Sequence, residues 1–180
     1  MNAKSLRLIE PTLELEEAYR DYLREFIEAG EEKNMYHRPE ETADVAACIR
    51  KLRDHARGVN LPQDQVPYSA YWALSEAGEL VGEIEIRPRL APAFEDMGGH
   101  IGFSVRPGQR RKGYASQMLA MMLKKARVMG LKRVLLTCDS ANIGSAHTIQ
   151  KNGGKLFSES VAWNGQLTSR YWIDLQSQEK

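Results

Sequence analysis

The sequence predicts an α/β (α+β) fold, a mixed and mainly antiparallel sheet of about seven strands with about four helices. Three observations predict it. Apolar residues switch along the chain between a period of two and a helical period. A helical stripe bearing methionines stands between two strand-like runs, which makes one strand-helix-strand crossover. The remaining strands adjoin through short turns, so hairpins dominate and one parallel pair is expected.

Residues 5–10 alternate as a strand, with Leu6, Arg7, Leu8 and Ile9 in turn. Pro11-Thr12 opens a helix with Glu14, Glu16 and Glu17 early and Leu15, Tyr19, Tyr22, Leu23 and Phe26 along one face, stopped near Gly30. A second helix begins around Glu41, carries Val45, Cys48, Ile49, Leu52 and Ala56, and ends at Gly58. Polar loops occupy 31–38 and 59–67. Strands at 68–75 and 80–87 are joined by Glu76-Ala77-Gly78-Glu79 as a hairpin. In the second of them Ile84 and Ile86 share one face, and Glu83, Glu85 and Arg87 share the other, which is either solvated or lines a polar cleft. After a Pro-containing loop, 98–105 reads as a strand with Ile101, Phe103 and Val105 on one side and His100, Gly102 and Ser104 on the other.

From 113 to 129, Ala115, Met118, Leu119, Met122, Ala126 and Met129 repeat at helical spacing, a stripe expected in the core, with Gly130 as the stop. Val134-Leu135-Leu136 marks a buried strand at 133–138, residues 143–151 a short helix, and 156–162 and 167–175 two strands around the turn signal Asn164-Gly165.

At 180 residues the chain suits one domain, 1–180, that buries roughly 70% of its unfolded surface without metal or disulfide staples. Its 25 Lys and Arg against 24 Asp and Glu leave no global field for nucleic acid or anionic membrane, so neither is expected as a partner. Cys48 and Cys138 are too few for a zinc cluster or disulfide framework, and no metal is expected. No signal peptide or run of ~20 apolar residues is visible, so a cytoplasmic location is the expectation.

Val105-Arg106-Pro107-Gly108-Gln109 leaves a strand and Arg110-Arg111-Lys112-Gly113-Tyr114-Ala115 enters the long helix. Backbone N–H groups at a helix start, beside cations, cradle an anion. Gly113 permits close approach of a phosphate and Ala115 keeps the first turn small. Taken alone, Arg-x-x-Gly-x-Ala is equally a basic loop before a helix. The strand before it, the amphipathic helix after it, then a strand and an Asn-initiated helix make a far rarer constellation.

With these residues the sequence resembles the general N-acetyltransferase (GNAT) superfamily, over roughly residues 5–175. The signature Q/R-x-x-G-x-G/A is matched by Arg110, Gly113 and Ala115, and the second element by Asn142, Ser145 and Lys151. Gly98-Gly99-His100-Ile101-Gly102-Phe103, Thr137-Cys138-Asp139, Lys151-Asn152-Gly153-Gly154 and Arg170-Tyr171-Trp172-Ile173 are similar to a subgroup of predicted acetyltransferases with a GGHIG(Y/F)xVRP motif. The resemblance implies acetyl-CoA as cosubstrate, a splay between strands 4 and 5, and pantetheine bound by the backbone of Phe103, Ser104 and Val105. It also implies pyrophosphate held by Arg110, Arg111, Lys112, Gly113, Tyr114 and Ala115, with Ser116 as a hydroxyl donor, and contacts from Asn142 and Ser145.

Acyl transfer requires an amine with pKa near ~10.4 to lose a proton at pH 7, about 4 kcal/mol of work. His100, Glu83 and Glu85 are the candidate bases, and His100 is preferred because it titrates near neutrality. His100→Gln is then expected to lower the rate at neutral pH with coenzyme affinity intact. The family's thiolate-protonating tyrosine falls at Ile149, so Tyr114, Tyr171, a water or no acid at all fills that role. Cys138 near His147 and Asp139 is read as packing rather than as a nucleophile. The acceptor, a small molecule or peptide amine, is expected opposite the coenzyme among the N-terminal helices, 31–38 and 68–72, where Glu31, Glu32, Glu83 and Glu85 suit a cation. Rival readings are a different acyl-CoA, a protein N-terminus as acceptor, a regulatory domain that binds coenzyme without turnover, and a nucleic-acid module on Arg106, Arg110, Arg111 and Lys112. A homodimer through an exposed Tyr171-Trp172-Ile173 strand edge is a further expectation.

Overall fold

The computed structural model describes residues 6–31, 44–61 and 65–176. Seven strands form among the described residues, in two sheets. β1 (Leu6–Ile9), β2 (Ser69–Ser75), β3 (Leu80–Ile86) and β4 (Ile101–Val105) make the first in that order, and β5 (Arg133–Asp139), β7 (Leu167–Asp174) and β6 (Lys155–Val161) make the second. Every pairing within them is antiparallel. The expected single mixed sheet with a parallel pair is therefore corrected. Between the sheets, Gly99, two residues before β4, makes one isolated antiparallel bridge to Leu136 of β5.

Two glycines cause the break. Gly98 and Gly99 have φ of 115° and 67°, so the strand expected from residue 98 begins only at Ile101. A Cβ on Gly99 would stand 2.4 Å from the Leu135 carbonyl oxygen. Only glycine lets the two backbones cross this closely.

Five α-helices are present among the described residues, one more than expected: α1 (Glu16–Glu28), α2 (Val45–Ala56), α3 (Pro92–Asp96), α4 (Tyr114–Val128) and α5 (Ile143–Lys151). The extra one, α3, is a short turn inside the Pro-containing loop, with proline at the start where its missing N–H costs nothing. A 3₁₀ turn, Leu13–Leu15, precedes α1. Asp44 caps α2, its Oδ1 accepting from Ala47 N at 2.9 Å. The expected start at Glu41, and Glu32 with the rest of its loop, lie outside the described residues.

Four of the six stripe residues are core, whereas Ala115 is half-buried and Met129, at the end of α4, is 45% exposed. Met118, Leu119, Met122 and Ala126 of α4 are fully buried against Ile84, Ile86 and Ile101 of the first sheet and Val134, Leu136 and Ile173 of the second. Each such large side chain contributes about 1.5–3 kcal/mol of burial. On the opposite face of the first sheet, Tyr19, Tyr22 and Phe26 of α1 and Ile49 of α2 pack with Trp72 and Leu80. Glu83, Glu85 and Arg87 lie on this second face and are buried, which settles the choice between a solvated row and an enclosed one.

β7 is the central strand of its sheet, paired with β5 through Tyr171 to Leu136 and with β6 through Tyr171 to Leu156. The expected dimer through a Tyr171-Trp172-Ile173 edge is thus corrected, because both edges of that strand are already paired. The Asn164-Gly165 turn forms, with Gly165 at φ 82° and Ala162 N donating to Gln166 O at 2.9 Å.

Candidate active site

Beyond the Gly99 bridge β4 pairs on one side only, with β3. Arg87 N donates to His100 O and Arg106 N to Val81 O at the two ends of this ladder. Antiparallel alternation then turns the N–H and C=O of Gly102 and Ser104 toward β3, and those of Phe103 and Val105 toward the open side. Of the three backbone contacts expected here, two face the slot. Ser104 offers its side chain instead, whose Oγ lies 2.5 Å from the Tyr22 hydroxyl.

The slot leads to the start of α4. Gly113 is the N-cap, at φ 85°, and no side chain caps this helix. The first-turn N–H groups of Tyr114, Ala115 and Ser116 are the orphan donors of any helix start, here left to an outside acceptor. Arg111, also left-handed at φ 59°, precedes them and is exposed. A Cβ on Gly113 would meet nothing nearer than Gln117 Nε2 at 3.8 Å, so the space over this turn is open. Ser116 Oγ accepts from Asn152 Nδ2 at 3.1 Å, which leaves its proton for another acceptor. The arrangement fits a pyrophosphate.

Three of the neighbouring basic side chains are committed elsewhere. Arg110 makes a two-pronged ion pair with Glu31 at 2.9 and 2.6 Å and donates to Val105 O at 3.0 Å. Arg106 donates to Glu25 at 2.5 Å, and Glu25 also accepts from Gly108 N. Lys112 Nζ donates to Gln109 Oε1 at 2.7 Å. Arg110 therefore shapes the turn, which leaves the backbone N–H groups of the helix start and the exposed Arg111 beside the open space. This pairing also thins the positive field that a nucleic-acid module would need.

On the other side of β4, Glu83 stands opposite Ser104 in register, and Glu83 Oε2 accepts from the Tyr19 hydroxyl at 3.4 Å. Burial first, and the Glu83 charge second, push the Tyr19 hydroxyl well above its ordinary range, so it stays a donor. Glu85 pairs with Arg87 at 2.5 Å; burial pushes its carboxyl up while Arg87 opposes the shift.

His100 is a clasp. Its N–H donates to Leu135 O at 2.7 Å and its Nδ1 accepts from Leu135 N at 2.9 Å, so the ring proton sits on Nε2 and the one lone pair is in use. Burial first, then the charges of Arg133 and Arg87, hold its pKa down to about 4. An unfolded imidazole near ~6.5 binds protons that the folded one rejects, so this contribution is full above about pH 6.5 and is lost as pH falls toward 4. For a half-buried ring screened by solvent that loss is about 1–2 kcal/mol. Denaturant unfolding at pH 7 and pH 4.5 should show a smaller loss in His100→Gln than in the wild type; equal losses would place the titration elsewhere.

Asn142 caps α5, its Oδ1 accepting from Ser145 N at 3.0 Å, so both residues shape that helix start. Ile149 is buried in the core, as are the rings of Tyr114 and Tyr171. Burial and then the Asp139 charge push the Cys138 thiol up to about 11, so it is protonated at neutral pH. Among the described residues no group of three His, Cys, Asp or Glu could hold a metal, and no helix is long and apolar enough to cross a membrane.

Tyr19, Tyr22 and Glu25 were not singled out by sequence reasoning as site residues. By period alone Tyr19 and Tyr22 belong to an apolar helix face. The signal lay in their chemistry: hydroxyls at two core positions three residues apart need polar partners, and the Glu83 row was the nearest polar feature.

The family described as "Acetyltransferase (GNAT) domain" matches residues 6–155, and the chain belongs to it. No curated protein matches. Solved structures do. Mycobacterium smegmatis RimJ in complex with CoA-disulfide is 17% identical, with 97% of this chain and 84% of that one covered at a TM-score of 0.74. An acetyltransferase from Salmonella typhimurium that modifies the N-terminal serine of ribosomal protein L7/L12 is 16% identical, with 96% of each chain covered at 0.70. Spermidine N-acetyltransferase from Vibrio cholerae, in complex with CoA and spermine, is 12% identical, with 95% and 96% covered at 0.65. At these identities the likeness shows a common fold.

Proposed function

We propose that this chain, as one domain, transfers the acetyl group of acetyl-CoA to the amine of a small-molecule or peptide acceptor by direct attack in a ternary complex. The observation that carries the reading is the uncapped start of α4 at the end of the open edge of β4. One supplies donors for a pyrophosphate and the other a strand edge for pantetheine. The GGHIG-type motif is similar to that of the subgroup named above, and the His100-Leu135 clasp gives the motif a structural purpose.

When bound, acetyl-CoA supplies the activated acetyl group. The rest falls to the chain. Phe103 and Val105 hold the extended arm along β4, and Tyr114, Ala115 and Ser116 meet the phosphates. Glu83, one strand spacing of ~4.8 Å away, takes the amine's proton through a water. The nitrogen then attacks the carbonyl carbon, the C–N bond forms and the C–S bond breaks. The departing thiol, with pKa near ~8.5, leaves without a dedicated acid, in keeping with Ile149 at the tyrosine position. His100, preferred at first, is left as a positioning residue because its lone pair is occupied.

Thiol release from acetyl-CoA against a panel of amines, with thermal shift in parallel, tests the reading. Stabilisation by acetyl-CoA together with acceptor-dependent release is the expected result. Stabilisation without release would leave a binding module, and no stabilisation would remove the site itself.

A further inference from the structure

Arg87 is a buried cation that acetyl transfer, as laid out above, leaves without a task. It is 8% exposed. One nitrogen, Nη2, donates to Glu85, while Nε and Nη1 are buried with no hydrogen-bond partner among the described residues. The guanidinium lies 4.3 Å from the Phe94 ring centroid and 5.4 Å from that of Tyr68. Aromatic faces answer its charge but not its N–H groups, three of which are idle. Such groups are nearly always satisfied in folded proteins, and those that are not ask for an explanation.

The surroundings point to an oxygen from outside. Phe94 comes from α3, which the Asp96 to Arg170 ion pair ties to the second sheet. His100, one strand across from Arg87, lines a cavity of about 340 Å³ with Trp172 and Phe157. Trp72 Nε1, on the same sheet face, is a second buried donor without a partner among the described residues. Trp72 stands opposite Glu83 in register, at the far end of the row from Arg87.

We propose that Arg87 binds a carboxylate or amide oxygen of the acceptor, which makes the acceptor an amino acid or a peptide rather than a polyamine. The inference rests on the acetyl-transfer reading and narrows it. Arg87 reaches back to Glu85, two residues along β3 from Glu83, which is roughly 7 Å. An amine, its neighbouring carbon and a carboxyl group, with ordinary hydrogen bonds at each end, cover that span. A polyamine has no oxygen to offer and would set a second cation against the guanidinium.

Thiol release should be measured with the twenty amino acids, their amides, the matching amines lacking the carboxyl group, a set of dipeptides, and spermidine. Amino acids and peptides would share the carboxylate chemistry, and the amides would separate it from the carbonyl. The expected result is turnover confined to oxygen-bearing acceptors. Arg87→Lys, which keeps a cation beside Glu85, should raise KM for them about 10- to 100-fold, with kcat little changed and stabilisation by acetyl-CoA intact. Equal use of the plain amines or spermidine, no use of any oxygen-bearing acceptor, or an unchanged KM in Arg87→Lys would overturn the inference. Loss of acetyl-CoA stabilisation in the wild type would instead remove the transfer reading beneath it.

Discussion

Gly99→Ala is expected to lower the unfolding midpoint by roughly 5–20 °C, and Gly113→Ala by far less, although both positions are left-handed. At either one a side chain in that backbone region costs about 1–2 kcal/mol. Only at Gly99 does the new Cβ collide with backbone, 2.4 Å from the Leu135 oxygen and 3.1 Å from the Leu136 Cα. Strands cannot yield as a flexible side chain can, so overpacking adds about 1–3 kcal/mol. The sum, about 2–5 kcal/mol, gives the stated shift for a chain of this size. Thermal unfolding of both variants decides the matter. Equal midpoints would mean that the pinch between the sheets does not depend on glycine, whereas Gly113→Ala should betray itself mainly through a weaker response to acetyl-CoA.

Glu83→Gln is expected to slow thiol release about 10²- to 10⁴-fold at neutral pH, the usual worth of a positioned base. An amide oxygen can still accept from Tyr19, so the fold and the acetyl-CoA response should survive. The variant's rate should then climb about tenfold per pH unit toward the acceptor's own pKa, because only amine already deprotonated in solution reacts. A variant within a few-fold of the wild type, with an unchanged pH profile, would take Glu83 out of the chemistry.

Much of this architecture was legible in the residues. The β2–β3 hairpin, the methionine stripe of α4 and the turn from Arg110 to Ala115 are local patterns whose period or spacing states what they form. The order of β7 and β6 was not, since which strand lies in the middle depends on contacts between residues far apart in the chain. The split into two sheets hinged on the conformation of Gly98 and Gly99, which a run of alternating residues conceals. Within the site, the donors at the start of α4 could be read from Gly113. The roles of Arg110 and His100 could not, because they are set by Glu31 and by the Leu135 backbone, neither adjacent in sequence. A histidine's suitability as a base depends on a lone pair that only its neighbours reveal.

Mechanically, α1 behaves as a strut. It is 13 residues long, about 20 Å, with Tyr19 near its start, Tyr22 at its midpoint and Glu25 in its last turn, and Glu31 follows just past its end. The first pair braces Glu83 and Ser104; the second pair grips Arg106, Gly108 and Arg110. A rod fixed at both ends transmits displacement without needing the sheet to flex. If acetyl-CoA binds as proposed, α1 is the element that would carry a tightening of the 106–110 turn to the two hydroxyls beside Glu83.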